Sequence, residues 1–314
     1  MKIGIIGTGR IAKRFIPEAL CVEDVELSTV YNPHEGSAGR FVKETGIALT
    51  VAEELPQLFA QSDAVYIASP HESHYAYIME ALKAGKHVLC EKPMVLDRAQ
   101  AEKCFSAAEE QGLVLMEAIK TAYCPGYKKV LELAADGVIG EIRYIDSCFT
   151  KLEKADRREL TDRCFGGSFT ELGSYVLLPI LDLLGSGYES IRFSRIDNAL
   201  GIDIFTKLEL NYPGKVATAV CGLGVKAEGR LLIGGSKGFL RVEAPWWKTG
   251  RIGIHFEDPS ATQYLEGPFE GDGLRYEIED FLQEIWGNRN NRAKDRSICM
   301  ADMMERFLSY RKNR

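Results

Sequence analysis

Apolar positions in the first third of the chain follow two alternating rhythms. Short strand-like runs, Lys2–Ile6, Glu26–Tyr31, Ala64–Ala68, His87–Cys90 and Leu113–Glu117, are separated by stretches with helical spacing. Those stretches are Arg10–Cys21, Ser37–Thr45, His74–Ala84 and Arg98–Gln111. Asp97 stands where it can cap the last of them, and Pro17 should kink or shift the first. Strands alternating with helices predict βαβ units, hence an α/β Rossmann domain with a doubly wound parallel sheet.

After about Ala118 the texture changes. A helical Tyr127–Ala135 leads through Gly137 to a long strand, Glu141–Thr150, and a charged loop from Lys151 to Arg163. An apolar helix, Phe169–Leu184, precedes strands at Ile191–Ile196, Ile204–Tyr212, Val216–Leu223, Arg230–Ile233 and Phe239–Glu243. Helical Gly273–Ile285 and Cys299–Tyr310 follow. This predicts an α+β second domain, with residues 1–118 as the dinucleotide-binding domain and 119–314 as a substrate-binding and oligomerisation domain.

Composition narrows the class. The 314 residues suit two domains at about 100–200 residues each. A net charge of −6 argues against a nucleic-acid or anionic-membrane partner. The apolar runs are strand-sized, so no membrane span is expected, and the N-terminal run is too short for a signal peptide. Eight scattered cysteines form no C-x-x-C pair, which fits free thiols in a reducing cytoplasm and excludes zinc or dithiol chemistry. His71, His87 and His255 show no metal-ligand spacing, so no metal is expected.

Gly7-Thr8-Gly9-Arg10-Ile11-Ala12 is a G-x-G-x-x-A pattern between a strand and a helix. The first glycine permits the tight turn, the second lets backbone approach a pyrophosphate, and the small Ala12 lets helix and strand pack closely. The phosphates would then meet the helix N-terminus, whose N–H groups and dipole favour anions. About 20 residues on, an acidic side chain would bind the 2′-hydroxyl of NAD. Asn32 stands there instead, so no carboxylate repels a 2′-phosphate, and Arg10, His34 and Arg40 supply positive charge. The expected cofactor is NADP or NAD, with the balance toward NADP. Asn32-Pro33 is equally good turn chemistry.

Ser69-Pro70-His71-Glu72-Ser73-His74 follows the strand Ala64–Ala68, and Glu91-Lys92-Pro93 follows His87–Cys90. Both lie at carboxyl ends of strands, where open α/β sheets bind ligands, and the Lys92–Pro93 peptide is a candidate for the cis form. His74 is a candidate cofactor neighbour or a helix-start residue.

Taken together these segments resemble the glucose–fructose oxidoreductase, inositol dehydrogenase and MocA (Gfo/Idh/MocA) family. The resemblance rests on the glycine turn, on Pro70 with His74, and on Ala84-Gly85-Lys86-His87-Val88-Leu89-Cys90-Glu91-Lys92-Pro93. It continues in Met116-Glu117-Ala118 and in Gly166-Gly167-Ser168-Phe169-Thr170-Glu171-Leu172-Gly173-Ser174-Tyr175. It implies a second domain with a largely antiparallel, open-faced sheet, NAD or NADP as cofactor, and a sugar, polyol or cyclic diol as substrate. It also implies cofactor contacts from Ser69, Pro70, His74, Glu91 and Lys92.

The family's catalytic residues carry over to Lys92, Glu171 and Tyr175. The family pattern D-x-G-x-H here reads Glu171-Leu172-Gly173-Ser174-Tyr175, so both end positions depart from it. Tyrosine for histidine resembles the dimeric dihydrodiol dehydrogenases. The four-residue spacing puts both side chains on one helix face. A phenol is a poor base at neutral pH until a cation such as Lys92 favours phenolate, which makes the pair a workable proton-transfer couple. Lys120 and Arg163 flank the expected cleft as candidate substrate contacts. Trp246-Trp247 reads as interface or core, and a homodimer or larger homo-oligomer is expected. Two rivals remain. A glycoside hydrolase of this family would hold NAD tightly with no net turnover. A non-catalytic cofactor sensor would not need the Lys92 and Tyr175 pair.

Overall fold

The computed structural model describes residues 1–287 and 291–312. The chain falls into two compact units. The first joins Met1–Lys120 to Gly271–Ala301, and the second joins Thr121–Glu270 to the segment from Asp302 onward.

The first unit runs β1 (Lys2–Ile6), α1 (Arg10–Ala19), β2 (Glu26–Tyr31), α2 (Ser37–Thr45), β3 (Thr50–Ala52), α3 (Leu55–Ala60), β4 (Ala64–Ile67), α4 (His71–Lys83), β5 (His87–Glu91), α5 (Arg98–Glu110) and β6 (Leu115–Ala118). Among the described residues six strands form one sheet in the order β3-β2-β1-β4-β5-β6, with every neighbour parallel. The order reverses between β1 and β4, the switch point at which such sheets bind ligands. Both faces are covered, so β4 is buried at all four positions. Tyr66 of β4 lies flat on Phe15 of α1, ring centroids 3.7 Å apart, which seats α1 over the sheet.

The second unit contains α6 (Pro125–Ala135), β7 (Ile142–Thr150), α7 (Arg158–Thr161), α8 (Ser168–Leu184), β8 (Ser190–Asp197), β9 (Asp203–Tyr212), β10 (Lys215–Gly222), β11 (Leu231–Gly235), β12 (Gly238–Val242), β13 (Arg251–Phe256) and β14 (Gln263–Glu266). Its described strands form a sheet ordered β14-β13-β12-β11-β7-β10-β9-β8. Pairing is antiparallel except between β7 and β10. α8 packs on β7, β9 and β10, and its Phe169, Val176, Leu177 and Ile180 are buried.

The chain ends in α9 (Leu274–Ile285) and α10 (Asn291–Lys312). The sequence assigned 119–314 to one block, of which residues 288–290 and 313–314 lie outside the described residues. The structure instead returns Gly271–Ala301 to the first unit. α1 packs on α9, and the buried carboxylate of Glu18 in α1 ties to this segment. It accepts hydrogen bonds from the backbone N–H groups of Asp272 and Arg275 and from the Arg275 guanidinium at 3.0 Å.

Four short elements escape the periodicity: β3, α3, β13 and β14. Pro17 stays inside α1, which ends two residues later. The loop Lys151–Arg163 holds the one-turn α7.

Candidate active site

In the first unit the glycine turn is shaped by a close approach of two strand ends. Gly7 has φ +105°, and a Cβ there would lie 2.6 Å from the Ala68 carbonyl oxygen. Only glycine fits, because both the backbone angle and the space exclude a side chain. Gly9 begins α1 with no side-chain cap, and a Cβ on it would meet nothing closer than 3.9 Å. Thr8, Gly9, Arg10 and Ile11 are exposed or half-exposed, while Ala12 is buried against the sheet. The helix N-terminus is therefore open to an anion, as a pyrophosphate requires. The residues present fit a dinucleotide.

Asn32 ends β2 and is held at both side-chain ends. Its amide nitrogen donates to Thr8 Oγ1 at 2.8 Å, and its oxygen accepts from the His34 N–H at 2.9 Å. It fixes the glycine turn to the loop before α2 and carries no charge. The Arg40 guanidinium donates to Ser37 Oγ at 2.9 Å in the first turn of α2.

The loop after β5 is pinned at three successive residues. The Lys92 N–H donates to Glu91 Oε2 at 3.3 Å. The Pro93 carbonyl faces His74 Nδ1 at 3.0 Å. The Met94 N–H donates to Glu117 Oε1 at 3.0 Å. The Lys92–Pro93 peptide is cis. Glu91 is itself anchored, since the buried Tyr66 hydroxyl donates to its Oε1 at 2.7 Å. Glu117, named in the sequence only as part of a resemblance, is buried and also accepts from Ser297 Oγ at 2.6 Å. Burial raises its carboxyl above the ordinary range, with the Ser297 and Met94 hydrogen bonds opposing. Lys92 is half-buried at the end of this braced loop.

His74 is fully buried, and its second nitrogen faces the Ser69 carbonyl at 2.9 Å. Both ring nitrogens thus meet backbone oxygens, which ties the loop after β4 to the loop after β5. Two carbonyl acceptors favour the doubly protonated ring, but burial opposes it and wins, pushing the pKa down to about 4. Ser69 is half-buried and its hydroxyl accepts from Ser73, and Pro70 starts α4. Lys120 is buried and its ammonium donates to the Asp272 carbonyl at 2.5 Å, a tie to the segment before α9.

The second unit carries Glu171 and Tyr175 on α8. From Ser168 to Leu181 every side chain is buried except these two, which are half-buried one turn apart. A helix so apolar has no surface reason to present an acid and a phenol on one face. Phe149 of β7 meets the Tyr175 ring at 5.2 Å, and Trp247 stacks on Phe149 at 3.5 Å with planes 3° apart. The stack needs the glycine at 229, where a Cβ would lie 2.4 Å from the Trp247 ring. Trp246 is core: it is fully buried and its indole N–H donates to the Cys148 carbonyl at 3.0 Å. The aromatic row Trp247-Phe149-Tyr175 joins positions far apart in sequence and was not foreseen. Arg163 is exposed, and its carbonyl accepts from Arg311.

Comparison with known proteins follows this geometry. Residues 1–119 match the GFO_IDH_MocA family, described as an oxidoreductase family with an NAD-binding Rossmann fold. Across 97% of this chain and 95% of its relative there is 28% identity to the scyllo-inositol 2-dehydrogenase (NADP(+)) IolU of Bacillus subtilis (strain 168). The chain is thus similar to the Gfo/Idh/MocA oxidoreductases, through its first 119 residues. The trans-1,2-dihydrobenzene-1,2-diol dehydrogenase of Sus scrofa is 29% identical over 69% of this chain and 67% of its own. The crystal structure of KijD10, a 3-ketoreductase from Actinomadura kijaniata in complex with NADP and TDP-benzene, superposes with a TM-score of 0.81. It is 26% identical, and the match covers 97% of this chain and 96% of that one. The chain is an NAD(P)-dependent oxidoreductase.

Proposed function

We propose that the protein interconverts a secondary alcohol and a ketone on a ring-shaped polyol, sugar or cyclic diol, using NADP in preference to NAD. The exposure of Glu171 and Tyr175 alone along the buried start of α8 carries this reading. Bound NADP(H) supplies or accepts the hydride. Tyr175 gives the proton to the carbonyl oxygen in reduction and takes it from the hydroxyl in oxidation. Lys92 orients the same oxygen, and its positive charge favours the phenolate. Glu171 holds the hydroxyl or the lysine. The flat Phe149 and Trp247 rings beside Tyr175 suit the apolar face of a six-membered ring. The substrates in the relatives' names, an inositol, a cyclic diol and a nucleotide-linked sugar ketone, share that ring.

The NADP preference rests on the uncharged Asn32 and on Arg40 and His34 nearby. Free thiols at all eight cysteines suit a cytoplasmic enzyme.

The test is a panel of scyllo-inositol, trans-dihydrobenzenediol and a dTDP-linked ketosugar, each with both dinucleotides, followed by Tyr175→Phe. The variant removes one oxygen and keeps the ring, so the fold should hold. We expect turnover with NADP(H) and a loss of about 10²–10⁴-fold in kcat in the variant, the usual worth of a general acid–base. Wild-type kcat in Tyr175→Phe rejects the assignment.

A further inference from the structure

The helix that carries Tyr175 begins in an unusual way. Gly167, its N-terminal boundary, has φ +122° and no side chain with which to cap the first turn. The cap comes instead from β9. Asp203, fully buried, accepts from the Phe169 N–H at 2.8 Å and from Thr206 Oγ1 at 2.8 Å, both on Oδ2. A Cβ at Gly167 would lie 2.0 Å from Asp203 Oδ1, so the glycine is what lets the carboxylate in. The Asp203 carbonyl accepts from Ser168 Oγ at 3.1 Å, and Ser168 Oγ accepts from the Leu223 N–H at 3.0 Å. On the loop side the Arg311 guanidinium donates to the carbonyls of Arg163, Cys164 and Gly166 at 3.1, 2.6 and 2.8 Å.

We infer that Asp203 is a positioning residue for proton transfer: it fixes where α8 starts, and thereby where Glu171 and Tyr175 point. The inference rests on the proposed role of Tyr175. A helix turns about 100° per residue, so a start displaced by one residue would swing both side chains off their shared face. Gly167 cannot supply the cap itself, and an ordinary Ser, Thr or Asp at that position would collide with Asp203.

The same carboxylate links the helix to pH. Its Oδ1 is buried without a partner. Burial raises the pKa to about 6, against the Phe169 N–H, the Thr206 hydroxyl and Arg311. The titratable neighbours are Arg311 from α10 and the buried Cys221 thiol from β10. That value lies above the free carboxyl's, so the closed helix start holds the proton more tightly than an opened one and is steadied as pH falls through about 6.

Two variants test this in the full chain. Asp203→Asn keeps an acceptor for Phe169 but does not titrate, and Asp203→Ala removes the cap. Hydrogen exchange of residues 168–175 is measured from pH 5 to 8, corrected for intrinsic rates. Wild type should gain protection as pH falls through about 6, Asp203→Asn should be flat, and Asp203→Ala should be unprotected throughout. With NADPH and the ketone turned over in the panel, Asp203→Ala should lose about 10- to 100-fold in kcat, as a small misplacement of a reacting group does. KM for NADPH should stay within about two-fold, and Asp203→Asn should recover most of the rate and lose the pH dependence of protection. Equal protection in wild type and Asp203→Ala overturns the inference. If Asp203→Ala does not fold, a pH dependence of protection that persists unchanged in Asp203→Asn overturns it. Failure of Tyr175→Phe to lower kcat would remove the proton-donor reading and leave the exchange pattern standing, so the two failures are distinct.

Discussion

Lys92 sits on a loop whose next two residues are held by His74 and Glu117, while its own N–H is held by Glu91. A lysine with a long, mobile stem is useful in a reaction only if its base is fixed. Lys92→Ala should therefore abolish turnover and leave NADP(H) affinity within a few-fold, as read by titration calorimetry. Near-normal kcat would remove it from the reaction. His74 gives a prediction about stability. His74→Phe fills the space and leaves unpaired whichever of the Ser69 and Pro93 carbonyls the neutral ring donates to, a cost of about 1–3 kcal/mol. Its sign with pH follows from the lowered pKa. The neutral ring stabilises the fold above the free-histidine value near 6.5, and that contribution is lost as pH falls toward about 4. The gap in melting temperature between wild type and variant should shrink across that window. At this scale Lys92, Glu171 and Tyr175 were singled out as candidates by their neighbours in sequence. Asp203 and Phe149 were not, because their partners lie 34 and 26 residues away along the chain.

Elements with strong rhythm were read nearly to the residue. β1, β2 and α2 have the expected bounds, and α8 begins one residue early. The misses share a cause. β3 is three residues long and α3 six, with a proline in its first turn, so neither completes two periods. β13 reads Arg-Ile-Gly-Ile-His-Phe, where glycine interrupts the polar face. The most demanding junction is that of β1 and α1. Gly7→Ala would place a methyl 2.6 Å from the Ala68 oxygen on a backbone angle that L residues avoid. Strain of that kind costs about 1–3 kcal/mol, and it moves the turn that meets the pyrophosphate. We expect a lower melting temperature and loss of NADP(H) binding. Retained affinity in a calorimetric titration would mean that the turn does not cradle the phosphates.

Across the whole molecule, no helix among the described residues is long and apolar enough to cross a membrane. The sheet of the second unit has one face on α8, and its other face is mixed. The structure shows Lys207 paired with Glu209 at 2.8 Å on the face away from α8. The apolar exposure there lies instead at Val216, Phe239 and Tyr264, with Phe239 stacked on His255 at 4.6 Å. Paired aromatics beside charged rows suit a protein–protein contact. We expect a homodimer by light scattering at micromolar concentration, and a monomer for the double variant Phe239→Asp, Tyr264→Asp. A wild-type monomer would count against this use of the face. Pattern alone could not show which strands leave their outer side uncovered, because that depends on where α8 docks.

Of the three tryptophans, Trp246 is sealed in the core, Trp286 is half in water, and Trp247 lies flat on Phe149 beside Tyr175. These three environments should emit differently, and a ring seated against Phe149 would disturb chiefly Trp247. The protein thus carries its own optical probe. A change in intrinsic emission on adding a candidate ligand, absent in Trp247→Phe, would report occupancy of that aromatic row without turnover.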